Sequence, residues 1–228
     1  MSKTAFEIKE VLSLGWEAFK KNALLLIVLL LISFFANIIV SVISGVISLP
    51  AVLSSLLATA VGAYFMLSSV RASSEAAAGL TPSWEVLKNE WKPFLKFFVI
   101  FLLLSIIFVV AAVLLLIPLL FAFALFLCVP YIFAENPEIG ILEVFQKSLN
   151  ISIKHIWLLI LYVLLWVAII LATAIVTLGL AILITAPLFY VTSACVYKKL
   201  EAASKETAVP AAAAAPAAAT PSSDITKK

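Results

Sequence analysis

The sequence predicts an all-α, polytopic membrane protein with six transmembrane helices as three hairpins, each preceded by an amphipathic interfacial helix. Three observations carry that prediction. The first is the segregation of charge. All 15 Lys and Arg and all 12 Asp and Glu lie in four polar segments, and residues 23–70, 97–134 and 156–197 between them carry none. The second is length. Each uncharged run is about 40 residues long, and a bilayer core about 30 Å thick takes about 20 helical residues to cross, so each run holds two crossings. The third is a turn signal within every run, at Leu49-Pro50, Ile117-Pro118 and Leu178-Gly179. An even number of crossings per run puts all four polar segments on the same side.

Composition excludes the soluble alternative. The chain is 65% hydrophobic and 12% charged, whereas soluble domains run near about 25% charged. The net charge of +3 is small, and no basic face carries interleaved aromatics, so no nucleic-acid partner is expected. Cys128 and Cys195 both fall in uncharged runs, where they serve as small hydrophobes and not as a disulfide. The chain starts with an amphipathic stretch, so no cleavable signal is expected.

The elements follow in order along a membrane domain spanning residues 1–200. Residues 4–21 form the first interfacial helix. Thr4 and Glu7 make a capping box, and Ile8, Val11, Leu12, Gly15 and Phe19 fall on one face. Glu17 and Lys21 are a favourable i,i+4 pair on the other face. Transmembrane helices over 23–49 and 51–70 come next. The second interfacial helix covers 82–92 behind the Thr81-Pro82 start signal, with Trp84, Leu87, Trp91, Leu95 and Phe98 on its apolar side and their continuation. Helices over 94–117 and 119–134 follow. The third interfacial helix covers 137–152 behind Asn136-Pro137, with Leu142, Phe145, Leu149 and Ile153 as its apolar face. Helices over 156–177 and 180–197 complete the set. Residues 201–228, rich in Ala and Pro, read as a disordered cytoplasmic tail.

An internal repeat underlies this order. The interfacial segments share Glu10-Val11-Leu12, Glu85-Val86-Leu87 and Glu143-Val144-Phe145. Each is followed by Trp16, Trp91 or Leu149, and then by Lys20-Lys21, Lys96 or Lys154-His155 where the helix enters the membrane. A tyrosine stands near the end of each second helix, at Tyr64, Tyr131 and Tyr190. All basic residues fall on one side, which the positive-inside rule assigns to the cytoplasm. The chain is therefore expected in the cell membrane, multi-pass, with both termini cytoplasmic.

Two residue sets are candidate sites. Lys20, Lys21, Lys96, Lys154, His155, Trp16 and Trp91 sit where headgroups lie, and are expected to contact lipid. Ser33, Asn37, Ser41, Ser44 and Ser48 form a polar stripe on the first membrane helix. With Gly45 this stripe reads as a close helix contact bearing interhelical hydrogen bonds; the alternative is a groove for a lipid headgroup or small solute. Thr173, Thr177 and Thr185 are a thinner version on the last hairpin. No metal-ligand spacing, nucleophile elbow or phosphate loop is visible, so neither metal nor cofactor is expected.

The chain resembles the six-helix membrane domain fused to some bacterial glycerophosphodiester phosphodiesterases, and its stand-alone prokaryotic relatives of uncharacterised function. Three stretches carry the resemblance. Residues 6–22 contain Gly15-Trp16 and Phe19-Lys20-Lys21-Asn22. Residues 117–157 contain Ile117-Pro118, Val129-Pro130-Tyr131, Glu135-Asn136-Pro137 and Trp157. Residues 186–197 open with Ala186-Pro187-Leu188. The resemblance implies the fold over residues 5–200 and carries over no catalytic or metal residue.

The expected function is that of a non-enzymatic integral membrane protein that organises or senses the cytoplasmic leaflet or scaffolds a membrane or cytoplasmic protein partner, with membrane lipids as its other partners. The alternative is a carrier or binder of a lipid or other apolar small molecule. An enzyme acting on lipids would need Glu135, Glu138, Glu143 and His155 within hydrogen-bond reach of one pocket.

Overall fold

The computed structural model describes residues 5–88, 91–114 and 116–213. Every regular element among the described residues is helical. The helices are α1 (Ile8–Val46), α2 (Ala51–Ala77), α3 (Trp91–Val113), α4 (Leu116–Phe126), α5 (Val129–Glu135), α6 (Ile141–Ile153), α7 (Ile156–Thr177) and α8 (Ile182–Ala213), with a 3-10 turn at Trp84–Leu87. Five stretches among the described residues are long and apolar enough to cross a membrane: α1, α2, α3, Ile117–Glu135 and α7. The protein is an all-α, multi-pass membrane protein. Lys198 and Lys199 cut short the apolar part of α8, which is not among the five.

The first interfacial helix and first membrane helix are one continuous helix, not two. Nothing between residues 17 and 26 breaks a helix: there is no Pro or Gly, and the Asn22 amide donates back to the Ala18 carbonyl at 2.9 Å. Thr4 and its capping box lie outside the described residues. Val11, Gly15 and Phe19 are buried, on the face the periodicity predicted.

Among the described residues of the second interfacial helix, predicted over 82–92, Trp84–Leu87 form the 3-10 turn and Trp91 and Lys92 belong to α3. Ser83 accepts the Glu85 N–H at 3.3 Å and caps that turn, and α3 restarts at Trp91 with Pro93 in its first turn, where proline is tolerated. The helix predicted over 119–134 is broken into α4 and α5. Pro130 has no N–H to give and its ring would meet the carbonyl of Phe126, so the chain turns at Leu127-Cys128.

The third interfacial helix starts at Ile141 behind Gly140, not at Pro137, and its buried face is rotated from the predicted one. Leu142 and Ile153 are exposed, while Val144, Ser148, Ile151 and Ser152 are buried. Contact with α4 accompanies the rotation: the Ser148 hydroxyl donates to the Leu125 carbonyl at 2.7 Å, which turns the Val144–Ser148 edge of α6 inward.

The α7 range coincides with the prediction. The α8 helix begins at Ile182 and runs past residue 197 to Ala213, so the first part of the predicted tail is helix; residues 214–228 lie outside the described residues. Lys147 bonds Glu201 at 3.1 Å and ties that extension to α6.

The core centres on α5, whose residues from Val129 to Phe133 are all buried against α2, α6 and residues 191–200 of α8. Trp166, Tyr131, Tyr162, Tyr197, Phe97 and Phe133 are its largest fully buried side chains. Aliphatic side chains of α1, α3 and α7 remain exposed along most of their lengths, and those of α2 over Val52–Leu57, as surface bathed in hydrocarbon requires.

Candidate functional site: a charged cleft at the polar end

The four charged segments converge at one end of the bundle. Lys199 pairs with Glu10, joining the fourth segment to the first. Lys198 pairs with Glu135 at 3.4 Å, joining the fourth to the third. Lys96 of the second donates to the Pro137 and Glu138 carbonyls of the third, at 3.3 and 2.9 Å. The Tyr64 hydroxyl holds the 3-10 turn through the Leu87 carbonyl. These contacts join residues far apart in sequence, so the clustering is a property of the fold and not of neighbouring positions.

Two cavities share this end. One, of about 250 Å³, lies between α1, the end of α2 and α8, and Glu17, Lys21, Lys198 and Lys199 supply its charge. The other, of about 460 Å³, is bounded by the end of α2, the 78–86 loop, and the ends of α5 and α8. Arg71, Glu75, Glu85, Glu135 and Lys198 supply its charge. Leu80 and Lys198 border both cavities. Arg71, Glu135 and Lys198 are each the first charged residue after an uncharged run. The larger cleft therefore lies at the depth where the apolar surface ends. Ser74 also lines it; the side chain is buried and its hydroxyl has no hydrogen-bond partner.

A polar column descends from this cleft into the core. The Tyr197 hydroxyl donates to Glu135 Oε2 at 3.0 Å. Tyr131 stacks on Tyr197 and donates to the Tyr190 carbonyl at 3.0 Å. Deeper, the Tyr162 hydroxyl lies 2.9 Å from Thr192 Oγ1 and 3.0 Å from Ser193 Oγ. Thr192 spends its own proton on the Leu188 carbonyl at 2.9 Å, so Tyr162 donates to Thr192 and accepts from Ser193. Thr192 also marks a close helix crossing: a Cβ placed on Gly15 of α1 would lie 2.2 Å from its methyl carbon.

The predicted stripe on α1 is dispersed. Ser33 and Asn37 are half-buried, and the Asn37 amide turns back on the Ser33 carbonyl at 2.9 Å. Ser41 is exposed. Ser48 lies beyond the helix end at φ 52°. Only Ser44 is buried, and its hydroxyl has no partner. Gly45 has nothing within 4 Å of a notional Cβ, so it makes no close crossing; Gly15 does. Thr173, Thr177 and Thr185 bond to carbonyls of their own helical turns at 2.7, 2.7 and 3.1 Å.

Of the expected headgroup contacts, Lys20, Lys21, Lys154, Trp16 and Trp91 are exposed, and Lys20 sits 5.9 Å from the Trp16 ring centre. Lys96 is half-buried and engaged with the 137–138 carbonyls. His155 is at the start of α7, where burial and then the neighbouring Lys154 charge lower its pKa from 6.5, so it is neutral at pH 7. Glu135, Glu138 and Glu143 line a third cleft together with Lys147, and His155 is not among its lining residues. The sequence reading passed over Arg71, Ser74, Tyr162, Thr192 and Gly15's role. The available signal for the first was that it is the chain's sole arginine, standing directly after an uncharged run.

Burial opposes ionisation of Glu201, but the Lys147 hydrogen bond and charge, with Lys205 beside it, outweigh that and hold the carboxyl below 4.5. A lowered carboxyl pKa gives stability that is complete above 4.5 and lost as the pH falls through the lower folded value. Thermal stability followed from pH 7 down through about pH 4 should therefore fall more steeply for the native chain than for Glu201→Gln. Parallel curves would show that the α6–α8 clamp contributes nothing.

No family profile, curated protein or solved structure matches this chain.

Proposed function

We propose that this protein recognises and organises lipid in the leaflet facing its charged end, without catalysing a reaction. The convergence of Arg71, Glu135 and Lys198 on one headgroup-level cleft is the observation that carries this reading. In it, α8 is the sixth crossing, paired with α7 as α1 is with α2 and α3 with the α4–α5 stretch. Positive-inside charge makes the charged end cytoplasmic, and the six-helix domain resemblance agrees with the same topology. The exposed Trp16, Trp84 and Trp91 suit an interfacial belt around that end.

Lys20, Lys21 and Lys154 form the outer, less specific layer of this recognition. Changing all three to Gln is expected to weaken association with anionic lipid by about 1 kcal/mol per charge. The enrichment of anionic lipid around the protein in mixed bilayers, read by spin-labelled lipid or by native mass spectrometry, measures this. Enrichment equal to that of the native chain would remove the basis for leaflet recognition by these lysines. The carrier reading has its own support in the polar column of Tyr131, Tyr162, Thr192 and Ser193, which gives the core hydroxyl groups that a purely structural bundle does not need.

A further inference from the structure

We infer that the cleft between the α2 end, the 78–86 loop and the ends of α5 and α8 binds a phosphoethanolamine group, with the phosphate on Arg71 and Ser74 and the ammonium on Glu75. The inference deepens the leaflet-recognition reading and rests on it. Depth is the first argument. Arg71, Glu135 and Lys198 each follow an uncharged run directly, so the cleft lies where phosphate and amine groups of a bilayer lie. Its volume of about 460 Å³ is within the range of small-ligand sites.

The second argument is Ser74. A buried hydroxyl without a partner is costly, and native folds seldom leave one. Ser74 lines the cleft one helical turn from Arg71, on the same face of α2. A phosphate oxygen accepting from Ser74 would satisfy it, while the planar guanidinium offers the paired donors that phosphate takes best.

Charge decides between ligand classes. A simple anion would meet Glu75, Glu85 and Glu135 across the cleft, and a simple cation would meet Arg71 and Lys198. Glu135 is already occupied by Lys198 and Tyr197, and Glu85 bonds Lys88 at 3.4 Å. Glu75, four residues from Arg71, already faces its charge, so one zwitterion spanning both replaces a single charge contact with two. A primary ammonium can donate to Glu75; the trimethylated ammonium of choline cannot.

The test uses the full chain in bilayer discs holding phosphatidylethanolamine, phosphatidylcholine and phosphatidylglycerol in equal amounts, with retained lipid read by native mass spectrometry. The native chain is expected to keep one phosphatidylethanolamine, preferred over phosphatidylcholine by about tenfold, the ratio one charge-assisted hydrogen bond supplies. Arg71→Gln should erase the preference. Ser74→Ala, which removes a hydroxyl with no protein partner and so spares the fold, should reduce it severalfold. Equal retention of the two zwitterionic lipids, or an undiminished preference in both variants, overturns the inference. Adding free phosphoethanolamine separates the sources: displacement of the lipid marks a soluble ligand, and unchanged retention marks the lipid itself. Phosphatidylglycerol enrichment reports separately on the outer lysines, so loss of one signal with survival of the other tells which reading has failed.

Discussion

Replacing Gly15 by Ala should lower the stability of the bundle by about 1–3 kcal/mol, the usual cost of an added methyl group in a packed contact. The added carbon would stand 2.2 Å from Thr192 Cγ2 and 3.1 Å from Thr192 Cα. The methyl group cannot simply rotate aside, because Thr192 Oγ1 is held by the Leu188 carbonyl and by Tyr162. Either α1 separates from α8 or the Tyr162 hydrogen bond is lost. For a chain of this size the melting temperature should fall by about 2–4 °C per kcal/mol. Thr192→Ser keeps the hydroxyl and removes the obstructing methyl, so in the Gly15→Ala background it should restore part of the loss. Gly45→Ala is the matched control. Nothing lies within 4 Å there, and alanine is the better helix former, so this change should be neutral or stabilising. Equal melting of both glycine variants would mean that α1 and α8 do not meet at Gly15.

That comparison also marks what a sequence can disclose. The all-helical class, the membrane setting and the placing of charge at one end follow from where charged residues are absent, because hydrocarbon penalises any charge in a span regardless of what the span packs against. Helix α7 matches its predicted range because no breaker lies inside it. The errors arise where a neighbour decides. Gly45 lies beside serines and reads as a crossing point, yet Gly15 makes the contact, because which glycine meets another helix depends on the path of a partner far away in the chain. The face of α6 depends on its contact with α4, where the Ser148 hydroxyl bonds the Leu125 carbonyl, so Ser148 points inward where periodicity put Phe145 and Leu142. Asn22 ends a charged segment and yet lies inside a continuous helix, since a change of polarity is not a change of backbone conformation. The candidate cleft was legible only in parts. Each of its three run-terminal charges is visible in the sequence, but their meeting requires the crossing order of α2, α5 and α8.

The residue on which that meeting most depends is Glu135. Its two oxygens serve different partners: Oε2 accepts from the Tyr197 hydroxyl at 3.0 Å, and Oε1 lies 3.4 Å from Lys198 Nζ. The two contacts are unequal in energy. Lys198 is 32% exposed, so water can replace its partner and the pair contributes no more than about 1 kcal/mol. Tyr197 is fully buried, and a buried hydroxyl that loses a charged acceptor costs about 1.5–3 kcal/mol. Glu135→Ala should therefore destabilise by about 2–4 kcal/mol through both losses. Glu135→Gln should cost far less, because its amide carbonyl still accepts from Tyr197. Tyr197→Phe should also be mild, since it removes the donor together with its need for a partner. In the Glu135→Ala/Tyr197→Phe double variant the loss should be smaller than the sum of the single losses, with the difference giving the coupling. If Glu135→Gln proves as damaging as Glu135→Ala, the charge facing Lys198 matters more than the hydroxyl of Tyr197. Lys198 would then be the residue that holds the two cavities in register, since it borders both.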